Sequence, residues 1–129
     1  MIYQDYALNA AHKIPNPDKY DIVLIEWLES HNYLVDIVPT SKGVNRGYLV
    51  EAVEAYKYEG RNHGDYTHSC DLPTMGLEVK YTTKRTKAHK GLRHAEARGV
   101  LVVYNDGNTI TELRMTLNQW YKSHYYKGA

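Results

Sequence analysis

Phenylalanine is absent from this 129-residue chain, and cysteine occurs once. The single cysteine, Cys70, excludes a disulfide within the chain and is consistent with a reducing compartment, so a cytoplasmic location is expected. No apolar run approaches the roughly 20 residues that span a bilayer, and the first residues lack a signal-peptide pattern, so no membrane attachment is expected. No glycine-rich phosphate cradle and no Ser-His-Asp constellation is present, and nothing points to a small-molecule cofactor. His63, His68, Cys70, His89 and His94 fit no structural zinc spacing, and tetrahedral zinc sites generally want more thiolate. Cys70 beside His68 has no third group to orient it as a nucleophile. Repeats, low-complexity tracts and linkers are also missing, which leaves one domain over residues 1–129, with residues 1–15 as a loose arm.

Tyrosine takes the place of phenylalanine and occurs 13 times. Its hydroxyl needs water or a partner, so many of these rings are expected at the rim of the core. The net charge of +1 hides an asymmetry. Asp5, Asp18, Asp21, Glu26, Glu29 and Asp36 dominate the first part of the chain. Lys80, Lys84, Arg85, Lys87, Lys90, Arg93 and Arg98 face only Glu96 further on. A basic block of this kind suits a phosphate backbone, and Lys84, Arg85, Lys87, Lys90 and Arg93 are the candidate nucleic-acid contacts.

Asn16-Pro17-Asp18 marks a helix start, and the apolar run from Tyr20 to Leu28 continues it until Ser30-His31-Asn32. Tyr33 to Val38 reads as a short strand. Val44 to Tyr58 reads as a second helix with an apolar stripe of Leu49, Val50, Ala52, Val53 and Tyr56, and with Glu51, Glu54 and Lys57 among its polar positions. A strand over 65–70, a strand over 76–83, a basic helix over 86–98 and a buried strand over 100–104 follow. Asp106-Gly107 is a hairpin signal, with a returning strand over 109–113 and a last helix from Thr116.

The chemistry concentrates in 70–80. Leu77, Val79 and Tyr81 alternate with Glu78, Lys80 and Thr82, the period of a half-buried strand, so Glu78 and Lys80 share a face. Asp71 precedes Leu72-Pro73, and Thr74 to Gly76 can turn the chain back, bringing Asp71 beside Glu78 across a tight hairpin. Oxygen ligands of this kind hold a hard cation, which neutralises charge on a phosphate and acidifies a water. Asp71, Glu78 and the Val79 carbonyl are the candidate metal ligands. Glu51 is the candidate helix carboxylate, adding an oxygen that supports the direct ligands or holds a second metal, and Lys80 is the candidate catalytic lysine that orients or helps deprotonate the water and offsets transition-state charge.

Asp71 with Glu78-Val79-Lys80 resembles the signature of the PD-(D/E)XK nuclease superfamily, with Cys70 where that pattern usually has proline. The run from Asp71 to Lys80 is similar to the metal-binding segment of the MutH-like endonucleases. Lys42-Gly43 through Gly47 to Glu51 is similar to the glycine-bearing helix that delivers their first acidic residue. The resemblance covers residues 41–104 and implies a small α/β restriction-endonuclease-like domain. Its core would be of αβββαβ type, a mixed sheet with flanking helices. It also implies a magnesium-dependent DNA endonuclease, with Mn2+ able to substitute for Mg2+, and a two-stranded substrate favours a homodimer. Glu54 competes with Glu51 for the helix role and Asp65 competes with Asp71. The alternatives in function are a silent nuclease scaffold that binds, such as a phage-type inhibitor or nucleic-acid-binding accessory, and a tRNA-cutting toxin.

Overall fold

Asp18 starts the first helix, and the way it does so shows how local chemistry sets this architecture. In the computed structural model, which describes residues 12–33, 35–38, 46–60, 70–84 and 97–126, the Asp18 carboxylate accepts from the Asp21 amide. Asp21 in turn accepts from the Asp18 amide, a reciprocal capping box. The cap is Asp18 rather than Asn16, which instead adopts a left-handed backbone with φ 41°. Helix α1 (Lys19–Ser30) follows and ends at His31. Before it lies β1 (His12–Pro15), paired in parallel with β2 (Val35–Val38). The end of the segment expected to be loose is therefore tied into a two-stranded sheet, with Ile14 fully buried. Four residues show no periodicity, and the pairing partner lies on the far side of α1.

Helix α2 (Arg46–Glu59) packs on β3 (Leu77–Thr83), the first strand of a three-stranded mixed sheet. β3 runs parallel to β4 (Gly99–Asn105), and β4 runs antiparallel to β5 (Ile110–Thr116). A parallel pair needs a crossover. Here the chain passes through residues 85–96, so the expected basic helix, like the expected strand over 65–70, lies largely outside the described residues. Helix α3 (Leu117–Lys122) closes the described chain, with Thr116 and Gln119 forming its capping box. The chain is thus a small α/β protein of helices with one three-stranded mixed sheet and a separate two-stranded pair.

Strand alternation gives the sheet two different faces. Leu77, Val79, Leu101 and Val103 join Leu24, Leu28, Leu49, Val50 and Val53 of α1 and α2 in the main core. Each fully buried aliphatic side chain there contributes about 1.5–3 kcal/mol. Val100 and Val102 point the other way and pack on Trp120 of α3, with Tyr104, Leu113, Met115, Tyr125 and Tyr126 around them. Two polar ties lock α1 to the rest. Asp21 holds Arg46 through Oδ1 to Nε at 2.6 Å and Oδ2 to Nη2 at 3.1 Å. Buried Asn105 donates from Nδ2 to the Tyr20 carbonyl at 2.8 Å and to the Tyr81 hydroxyl at 3.1 Å. Among the described residues no helix is long and apolar enough to cross a membrane.

Candidate metal and phosphate site

The turn before β3 builds the acidic pair. Leu72 and Leu77 form an antiparallel bridge, exchanging amide-to-carbonyl bonds of 2.9 and 3.1 Å, and Gly76 takes the left-handed φ of 71° that closes the loop. Asp71, one residue before the bridge, is therefore opposite Glu78, one residue after it. Asp71 Oδ2 accepts from the Val79 amide at 2.9 Å, which fixes the carboxylate against the start of β3. Lys80 stands two residues further along on the same face as Glu78 and is half-buried.

Glu78 is 2 % exposed. Burial, then the charge of Asp71 and a hydrogen bond shared with it, push the Glu78 carboxyl up to about 8, and the charge of Glu51 adds to the rise while Lys80 opposes it. Asp71, Lys80 and Glu51 of α2 thus each act electrostatically on Glu78. Near neutrality the raised Glu78 carboxyl favours its protonated form, because burial and the facing carboxylate both disfavour a second charge there. A divalent cation supplies the same relief with more charge, and oxygen ligands suit Mg2+. Asp71, Glu78 and the Val79 carbonyl fit such an ion. Among the described residues no three His, Cys, Asp or Glu side chains converge as a metal cage, so Glu51 is not a third direct ligand in this arrangement.

The competitor Glu54 has a different role. It is fully buried, not on a polar face of α2, and its partner is Glu112 of β5. Burial, then the neighbouring Glu112, raise the Glu54 carboxyl to about 9, and neither Glu54 oxygen has a hydrogen-bond partner among the described residues. Burial works against ionising Glu112 as well. The nearby Glu54, with bonds from Lys57 Nζ at 2.7 Å and from the Tyr58 hydroxyl at 2.6 Å, nevertheless holds Glu112 below its ordinary value. Helical spacing alone could not separate Glu51 from Glu54, since both follow the same stripe. Cys70 is buried. Asp65, His63, His68, His89 and His94 lie outside the described residues, as do Arg85, Lys87, Lys90 and Arg93 of the basic strip. Lys84 is exposed just past the end of β3.

A cleft of about 340 Å3 opens at the same end of the sheet, lined by Met75, Leu77, Arg98, Gly99, Arg114, Met115, Thr116 and Gln119. Arg114 had no distinguishing signal in the sequence: a lone arginine on a returning strand reads as ordinary solvent-facing charge. No protein-family model, curated protein or solved structure matches this chain.

Proposed function

We propose that the chain is a metal-dependent nuclease that hydrolyses DNA phosphodiesters on the Asp71–Glu78–Lys80 face, on a nuclease-type core of the PD-(D/E)XK kind. The observation that carries this reading is the juxtaposition of Asp71 and Glu78 across the Leu72–Leu77 bridge, with Lys80 next on the same face. A parallel β3–β4 pair with a crossover between them agrees with such a core but is common to many α/β proteins.

Asp71, Glu78 and the Val79 carbonyl would hold Mg2+, and the bound ion supplies charge neutralisation at the phosphate and a more acidic water. The Asp71 bond to the Val79 amide keeps the carboxylate oriented before any ligand arrives. Lys80 would hold the attacking water by its ammonium and offset charge on the pentavalent phosphorus. Glu51 tunes the pair from α2 through its charge on Glu78. Lys84, with Arg85, Lys87, Lys90 and Arg93, would track the strand on either side of the cut. Two equivalent strands in the substrate would favour a homodimer.

The test is cleavage of labelled linear, nicked, four-way-junction and single-stranded DNA and of tRNA, with Mg2+, Mn2+ or EDTA. Metal-dependent cutting is expected, lost in Glu78→Ala and reduced at least 100-fold in Lys80→Ala, with the melting temperature of Lys80→Ala close to the parent's. Cutting of tRNA alone would make the protein a toxin-type nuclease. Parental rates in Lys80→Ala would sink the mechanism. Tight nucleic-acid or protein binding without any cutting would favour the silent scaffold.

A further inference from the structure

The cleft beside the hairpin has a composition that the carboxylate pair does not explain. Its apolar lining is Leu77, Met75 and Met115, and it is closely packed at Gly99, where a Cβ would meet the Met115 carbonyl at 2.5 Å and Leu77 Cδ2 at 2.9 Å. Its charged groups are Arg98 and Arg114, both exposed. Among the described residues neither guanidinium forms an ion pair; the two ion pairs found there are Arg46–Asp21 and Lys57–Glu112. The polar side chains of Thr116 and Gln119 are engaged with each other's backbone in the cap of α3. One carboxylate, Glu59, reaches the same turn, where its Oε2 accepts from the Met75 amide at 3.0 Å. The lining of the cleft itself carries two cations and no acid.

Arg98 is also held in place. Its amide donates to the Gly76 carbonyl at 2.7 Å, and its stem lies across Gly76, where an added Cβ would stand 3.4 Å from Cγ and Cδ. The turn that sets Asp71 against Glu78 therefore also sets the direction of the Arg98 guanidinium. Arg114 faces the cleft from β5, one strand further over. Two guanidiniums beside Met75 and Met115 match a phosphate ester, whose oxygens take forked N–H donors while the attached sugar covers the methionines. A volume of about 340 Å3 falls at the small end of ligand sites, roughly 300–1,000 Å3, enough for a phosphate with its sugar.

We propose that the Arg98–Arg114 cleft is a phosphate-binding subsite for the nucleic-acid strand, held next to the metal site by the shared Gly76 turn. The identity of the ligand rests on the nuclease reading; the affinity for phosphate does not. The cleft takes either a terminal phosphate or a backbone phosphate.

The test is binding of short single-stranded oligonucleotides with 5′-phosphate, 3′-phosphate or hydroxyl ends to the full chain in EDTA, where no cutting occurs. The salt dependence is measured for the parent, Arg98→Gln, Arg114→Gln and the double variant. The double variant is expected to bind at least tenfold more weakly, with its log–log salt slope flatter by roughly 0.7 per arginine removed. A loss confined to phosphorylated ends assigns the cleft to a terminal phosphate, and an equal loss on all oligonucleotides assigns it to the backbone. As a second readout, inorganic phosphate should raise the melting temperature of the parent and not of the double variant. A folded double variant with parental affinity, parental salt slope and parental phosphate stabilisation overturns the proposal. Loss of binding in the arginine variants, alongside a parent that cuts nothing with Mg2+, would retain the subsite and discard the nuclease.

Discussion

Glu78 and Glu54 are both carboxyls that hold a proton above the ordinary value near 4.5, for different reasons and with different tests. At Glu78 the folded chain keeps a proton that the unfolded chain has lost, from about pH 4.5 up to about 8. Stability contributed there is full at low pH and declines as pH rises through that window. Thermal melting of the metal-free protein should therefore fall across it, and Glu78→Gln should flatten that part of the profile. Binding of Mg2+ must displace the same proton, so its affinity should climb about tenfold per pH unit and level off above pH 8, read by calorimetric titration. A pH-independent affinity would remove Glu78 from the ligand set. Glu54 is fully buried against Glu112, and Glu54→Gln keeps the shape while ending the titration. That variant should melt near the parent at about pH 4.5 and increasingly above it as pH rises toward 9, because only the parent's unfolded chain gains by ionising Glu54 across that window. Its cleavage rate should match the parent's, which separates it from Glu51.

At the scale of elements, the turn from Leu72 to Leu77 is the most consequential. Gly76→Ala would force a side chain into a left-handed backbone, costing about 1–2 kcal/mol, and would press on the Arg98 stem at 3.4 Å. The expected outcome is a lower melting temperature with Mg2+ affinity and oligonucleotide affinity weakened together. Damage to stability alone would show that the turn does not position the two groups. This hairpin was legible in the sequence because each cue in it is local: proline after Leu72, glycine before Leu77, and strict alternation from Leu77 onward. The Asp106-Gly107 turn was legible for the same reason, with Asp106 Oδ1 accepting from the Asn108 and Thr109 amides at 2.8 and 2.9 Å. β4 was legible as a continuous apolar run rich in valine, from Val100 to Tyr104. The parallel strand β1 was not, because four residues carry no period and their partner follows a whole helix. The burial of Glu54 was equally hidden: its partner Glu112 is 58 positions away, on a strand whose face could be assigned only once the sheet register was known.

For the whole molecule, the expected substrate rests on charge distribution rather than on any one contact. Lys87→Glu with Lys90→Glu should weaken duplex binding and flatten its salt dependence by roughly 0.9 for each lost phosphate contact, measured by anisotropy in EDTA. Melting should stay within a few degrees of the parent. Unchanged binding would move the interface off the basic strip. The parallel pairing of β3 with β4 has another consequence. The chain can be considered as two pieces, one ending past β3 and the other opening before β4, joined through the sheet, through the core that Leu101 and Val103 share with α1 and α2, and through the Lys57–Glu112 pair. The first piece owns Glu51, Asp71, Glu78 and Lys80; the second owns Arg98 and Arg114. Cation capture thus belongs to a single piece, whereas the phosphate cleft exists only as joint property of both. A protein nicked between them would stay joined by the β3–β4 ladder, the shared core and the Lys57–Glu112 and Asn105–Tyr20 ties, and grip on the strand end would report that reassembly.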